Sequence, residues 1–259
     1  MREARAPAAV RGSVMSSTHC YELPSRNNLL AALPLEDQKR LRPDLQPFEL
    51  RFEEILHPPD GLVDAVLFPE GGMVSFIAAL DDGDRIEVGI AGREGMVGLP
   101  LVFGDDRSLV EARVQMKGEA LRIGATAFRA AMAESTPLRE LLLRYALAFH
   151  AQVTLTAACN ARHPIEQRLA RWLLIAHDRA GADEFVMTHE FISGMLGVRR
   201  PGVSLAAGIL QKAGLIHYAR GRIAVIDRRG LEAAGCECYR TVQHELERLL
   251  GHGVAGPRC

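Results

Sequence analysis

The segment LGVRRPGVSLAAGILQKAGLI, residues 196–216, sets two arginines side by side ahead of a proline, a glycine and a helical run. A cation at a helix start opposes the positive end of the macrodipole, at a cost of a few tenths to about 1 kcal/mol. A partner dense in negative charge reverses that balance. The guanidinium fork can also hold a phosphate, or O6 and N7 of guanine, through two parallel hydrogen bonds. Arg220 and Arg222 follow in HYARGRI. The chemistry these four arginines suggest is recognition of a polyanion; the alternative is a solvated basic surface.

Such side chains need a scaffold that aims them. HEFISGMLGVRRPGVSLAAG fits two short helices crossing steeply. Ile192, Leu196, Val198, Val203 and Ala206 fall on inward positions. Ser193 is the small residue of the first helix, and Gly197 sits at the turn, where positive φ carries no side-chain penalty. Thr188 is a candidate cap for the first helix. Pro201 falls in the first turn of the second, where its missing N–H costs no bond. Arg199 and Arg200 then stand at the leading end of the second helix, about 199–212, and Ser204 on its outward face. In LIHYARGRIAVID two β-prone runs flank Ala219-Arg220-Gly221-Arg222, a hairpin turn that makes a wing with Arg220 and Arg222 at its tip.

The chain changes character near residue 135. From Leu45 to Ile123 short apolar runs alternate with turn clusters: DAVLFPEGGMVSFIAAL breaks at 69–72, DDGDR precedes IEVGIAG, and VEARVQMKGEALRI splits at Lys117-Gly118. That pattern predicts a sandwich, jelly roll or barrel. Helices bracket it in RNNLLAALPLEDQKRL and ATAFRAAMAE. Past Ser135, with Ser135 or Thr136 as the cap and Pro137 in the first turn, apolar residues recur at Leu138, Leu142, Tyr145, Phe149 and Val153, and again at Leu141, Ala148 and Leu155. One stripe is expected to cover the β-domain and the other to meet a partner helix. His163-Pro164 ends this helix, and IEQRLARWLLIAHDRAG starts the next.

Composition sets the limits. The 259 residues carry a net charge of -1, so a nucleic-acid surface must be local. Apolar runs are all interrupted before membrane-spanning length, and MREARAPAAVRGSV lacks the apolar core of an export signal. Residues 1–14 are expected to be disordered, with Met15 opening a more usual start. Five irregularly spaced cysteines, Cys20, Cys159, Cys236, Cys238 and Cys259, argue against a disulfide framework and for a reducing cytoplasm. Cys236-Glu237-Cys238 is not a CxxC, and its nearest histidine in sequence is His244. No metal site or cofactor is assigned, and His57 and His150 are read as ordinary residues.

With these elements in order, residues 29–227 resemble the Crp/Fnr superfamily of bacterial transcription regulators, most strongly over 188–226. The resemblance implies an α+β fold. An N-terminal double-stranded β-helix (a jelly roll of the cyclic-nucleotide-binding type) spans 15–136. A long dimerisation helix spans 137–163 and a C-terminal winged helix-turn-helix 164–235, followed by a helix and tail at 236–259. It implies a homodimer that reads a near-palindromic site on double-stranded DNA through Thr188, Arg199, Arg200, Ser204, Arg220 and Arg222. RNA polymerase and a small-molecule effector are open as further partners.

Two departures qualify the resemblance. Pro201 and Leu205 stand where the best-known members carry Glu and Arg, so no half-site sequence carries over. The cyclic-AMP pocket of the family uses a Gly-Glu pair for the ribose and an Arg-Ser pair for the phosphate. Here Gly98 is followed by Leu99, with Arg107-Ser108 as the second pair after a shorter loop. A ribose hydroxyl facing Leu99 loses its acceptor, at roughly 1–3 kcal/mol, so cyclic AMP is not expected to be the effector. The N-terminal cysteine cluster of oxygen-sensing members is absent. Two other classes compete with the DNA-binding regulator. A cupin-like metalloenzyme needs clustered histidines, and the strand region offers only His57. A ligand-binding module that contacts protein rather than DNA leaves the four arginines without a task.

Overall fold

The computed structural model describes residues 25–81, 83–180 and 182–251. The expected disorder of residues 1–14, the start at Met15, and Cys20 and Cys259 all fall outside these residues.

Among the described residues, two short helices, α1 (Asn28–Ala31) and α2 (Leu35–Leu41), lead into nine strands. These are β1 (Gln46–Leu50), β2 (Ile55–His57), β3 (Gly61–Leu62), β4 (Ala65–Pro69), β5 (Met73–Ala79), β6 (Arg85–Ala91), β7 (Arg107–Ser108), β8 (Glu111–Met116) and β9 (Gly118–Gly124). They form an antiparallel roll of sheets ordered β1-β9-β4 and β2-β8-β5-β6, with β3 paired to β7. Val74, Phe76, Val114, Leu50 and Ala120 fill its interior. Every residue of β4 is buried, which is why its sequence reads as a continuous apolar run.

Helix α3 (Ala125–Glu134) closes the roll, and α4 (Thr136–Arg162) runs for 27 residues, about 40 Å. Ser135 Oγ accepts the Leu138 amide at 3.1 Å and starts α4. The helix lies close on β6 because Gly89 has no side chain: a Cβ there would come 2.7 Å from the Phe149 ring. Phe149 meets Phe76 edge to face at 4.9 Å.

The expected division of labour between the two stripes of α4 is corrected here. Leu138, Leu141, Leu142, Tyr145 and Ala148 are buried within one protomer, with Phe149, Val153 and Leu155 half-buried. The stripes are offset by one residue, about 100° around the helix, so they merge into one broad face. The C-terminal helix α9, introduced below, packs along this helix and adds Val242, Leu246 and Leu250 to the same core. A different stripe faces outward. Leu143, Leu147, His150, Thr154, Ala157 and Ala161 are all exposed, at alternating spacings of four and three.

After His163-Pro164 come α5 (Ile165–Ala180), β10 (Glu184–Val186), α6 (His189–Leu196), α7 (Arg200–Lys212), β11 (Ile216–Ala219), β12 (Arg222–Val225), α8 (Arg228–Ala234) and α9 (Cys238–Leu250). The three strands form one antiparallel sheet, ordered β10-β12-β11. The β-roll and this unit share a core: Met73, Ile77 and Ile90 join Leu169, Trp172, Leu173, Ile192 and Val203. Polar groups are buried at the same junction. Glu87 accepts from Ser75 Oγ and, at 2.8 Å, from Trp172 Nε1. Arg179 Nε donates to Glu94 at 3.1 Å.

Candidate nucleic-acid interface

The geometry of α6 and α7 follows from a few local choices. Thr188 Oγ1 accepts the Phe191 amide at 3.1 Å and caps α6. Gly197 ends α6 with φ 59°, the left-handed conformation that redirects the chain. Ile192, Leu196, Val203 and Ala206 are buried between the helices, with Val198 half-buried. Buried Ser193 donates its hydroxyl to Glu190 O at 2.6 Å, so this small residue costs no unmet polar group. Arg168 of α5 donates to Leu196 O and satisfies a carbonyl at the end of α6.

The exposed edge of this frame is basic. Arg199 occupies the N-cap of α7 and supplies no capping hydrogen bond; Arg200 and Pro201 open the helix. Ala219 pairs with Arg222 across a two-residue turn. Arg220 and Gly221 take φ 51° and 76°, the positive values a tight hairpin of matching twist requires. Arg199, Arg200 and Arg220 are exposed, and among the described residues none of their guanidinium groups makes a hydrogen bond or ion pair, although Arg199 O accepts the Gly202 amide at 2.9 Å. Arg222 differs. Its guanidinium is held by Glu184 of β10, so much of its charge is already matched within the chain.

Ser204 is exposed on α7, yet its hydroxyl lies 2.9 Å from His189 Nδ1. His189 stacks on Tyr218 of the wing with ring centroids 4.0 Å apart and 16° between planes. This His189–Ser204–Tyr218 bracket joins α6, α7 and the wing, and sequence reading missed it. Burial, then the charge of Arg200, lowers the His189 pKa, which favours the neutral ring. The only sequence signal was a histidine one residue past a cap, too common to single out.

The four effector-pocket candidates flank the segment 61–66. Gly98 packs against Ala65 and Val66 of β4. Leu99 is half-buried against the core below α3. Arg107 and Ser108 form β7 beside Gly61 and Leu62. Arg107 Nη1 donates to Asp60 O at 3.1 Å and Ser108 Oγ to Val110 O at 2.8 Å, so both are engaged by backbone. His57 is buried in β2, where desolvation lowers its pKa.

The cysteine pair near the C-terminus does not face His244, which is exposed on α9. Instead Cys236 and Cys238 meet Cys159 and His163 from the far end of α4. Sequence distance along the chain was the wrong guide, because α4 and α9 pack together.

Known proteins resemble this chain in two ways. Residues 167–234 match the Crp-like helix-turn-helix domain family. Solved structures share the fold over most of the chain. A crp/fnr-family protein from Eubacterium rectale ATCC 33656 aligns with TM-score 0.64 at 20% identity, covering 80% of this chain and 96% of that one. FixK2 from Bradyrhizobium japonicum aligns with TM-score 0.64 at 18% identity, covering 74% and 98%. CLP of Xanthomonas campestris, described as a c-di-GMP responsive global regulator, aligns with TM-score 0.61 at 17% identity, covering 74% and 99%. Among curated proteins no match was found. The class is a β-roll joined by a long helix to a winged helix-turn-helix. The domain match covers the winged unit, and over the rest of the chain the likeness to these crp/fnr-family structures is one of fold. Among the described residues, no helix is long and apolar enough to cross a membrane.

Proposed function

We propose that this chain is a dimeric, sequence-specific transcription regulator that lays the start of α7 in the major groove of DNA. The observation that carries this reading is the set of three exposed arginines whose guanidinium groups have no partner among the described residues: Arg199 and Arg200 at the leading end of α7, and Arg220 on the wing. An unpaired cation at a helix N-terminus is locally unfavourable, and phosphate or guanine converts it into a charge-assisted contact. Arg200 reads a base, whereas Arg199 and Arg220 bind phosphate. Thr188 positions α6, Ser204 lies beside the groove, and Arg222 makes a smaller contribution because Glu184 holds it.

The outward stripe Leu143, Leu147, His150, Thr154, Ala157 and Ala161 is the seam for a second copy. Its 4-3 spacing is that of a coiled coil, and its small residues allow close approach at the end nearer the DNA-binding unit. Two copies present their recognition helices to half-sites about 34 Å apart on a near-palindromic operator. The protein acts in the cytoplasm, and RNA polymerase and a small-molecule effector are the candidate further partners. The proposed role is binding rather than catalysis: among the described residues of the β-roll, His57 is buried and Arg107 and Ser108 are engaged by backbone. Cyclic AMP does not control DNA binding, since apolar Leu99 offers no acceptor for a ribose hydroxyl.

Selection of DNA fragments by the purified protein, followed by titration at several salt concentrations, tests the reading. A near-palindromic consensus bound with a steep salt slope is expected. Enrichment of no sequence, with a flat salt dependence, would refute it and favour a module that contacts protein.

A further inference from the structure

Cys159 lies in the last turn of α4, and His163 caps its C-terminal end just before the junction to α5. Cys236 and Cys238 lie where α8 gives way to α9. Packing of α9 along α4 brings the four together across 77 residues of chain. Their ligand atoms all lie within 4.8 Å of one another. Cys159 Sγ is 3.5 Å from Cys236 Sγ, and Cys238 Sγ is 3.7 Å from His163 Nδ1. The three cysteines are buried and free of disulfides.

We propose that Cys159, His163, Cys236 and Cys238 bind one zinc ion in a tetrahedral site. An ion about 2.3 Å from each sulfur and about 2.0–2.1 Å from nitrogen sets neighbouring ligands roughly 3.5–3.8 Å apart. The two distances above already match that spacing. A multi-iron cluster would place the sulfurs on separate irons and hold them further apart than these side chains stand. His163 turns Nδ1 toward the sulfurs while its Nε2 lies 3.4 Å from Glu237 Oε1. A carboxylate at that position keeps the proton on Nε2 and leaves the Nδ1 lone pair for the metal.

Charge agrees with this assignment. Three thiols release their protons to solvent on binding, so the ion and its ligands carry one net negative charge. Buried Arg171 opposes it. This guanidinium acts on both Cys159 and Cys238, and its Nη2 donates to Thr156 Oγ1 at 2.8 Å. The site therefore ties the end of the long helix to the C-terminal helix, at the junction that hands the chain over to the winged unit.

Cobalt(II) titration of the full-length, reduced, metal-stripped protein tests the proposal without any DNA. The expected result is the visible absorption of tetrahedral cobalt–thiolate coordination, saturating at one ion per chain and abolished by zinc. Cys236→Ser with Cys238→Ser should lose these bands. Cys20→Ser with Cys259→Ser should keep them. Zinc should also raise the melting temperature of the stripped protein. Absence of tetrahedral bands in the wild type would overturn the proposal. So would unchanged bands in the Cys236/Cys238 variant, iron with acid-labile sulfide in the purified protein, or a Cys159–Cys236 disulfide in place of metal. The wild-type spectrum decides the matter even where the serine variant fails to fold.

Discussion

Replacing Glu87 with Gln should change how the protein's stability depends on pH. Glu87 is fully enclosed between the β-roll and α5, and burial raises its pKa from 4.5 to about 7. The bonds from Ser75 and Trp172 and the charges of Arg171 and Arg179 pull the other way and do not offset the desolvation. Below pH 4.5 the carboxyl is protonated whether folded or unfolded, and costs nothing. Above 4.5 the unfolded chain ionises first, so stability falls as pH rises and levels off above about 7. A shift of this size corresponds to about 3 kcal/mol at full development. Glutamine keeps the shape, accepts from Trp172 Nε1, and donates to the Ser75 hydroxyl oxygen. Urea unfolding at pH 5 and pH 8 provides the assay. Between those values the stability of Glu87→Gln relative to wild type should rise by roughly 2–3 kcal/mol. Parallel stability curves for the two proteins would refute the reasoning.

Three further outcomes follow from the geometry. Leu147→Glu should give folded monomers with weakened operator binding by sedimentation, whereas Leu142→Glu, at a fully buried position, should unfold the protein; a dimeric Leu147→Glu would exclude this seam. Arg199→Ser should raise the unfolding midpoint, by about 1 kcal/mol of stability, because it supplies the missing cap of α7. It should also weaken DNA binding, and equal affinity would remove Arg199 from the interface. Arg220→Ala should weaken all DNA sequences alike and make the salt slope shallower by about one unit, and a base-selective loss would contradict that role.

The helix-turn-helix was legible because its constraints are local: Thr188 caps, Gly197 turns with positive φ, and Arg220-Gly221 makes the tight hairpin. The major strands of the roll were legible for the same reason, since turn clusters at 69–72 and 117–118 divide them. What escaped depends on long-range packing. No periodicity in α4 reveals that α9 covers part of its apolar face. Strands as short as β3, β7 and β10 carry too few residues to show an alternation, so the capture of Arg222 by Glu184 was hidden. The Cys159–His163 pair is spaced i, i+4 at a helix end, but its meaning appears only once Cys236 and Cys238 fold back beside it.

The most direct test of the account is the affinity of Arg200→Ala for the selected operator, for operators altered one base pair at a time, and for scrambled DNA. If Arg200 reads a guanine, its loss should cost about 1–3 kcal/mol at the cognate site. Changing the contacted base pair should then hurt the wild type and barely affect the variant. An equal loss on cognate and scrambled DNA would contradict the account, leaving Arg200 an electrostatic anchor and α7 without its base-reading role.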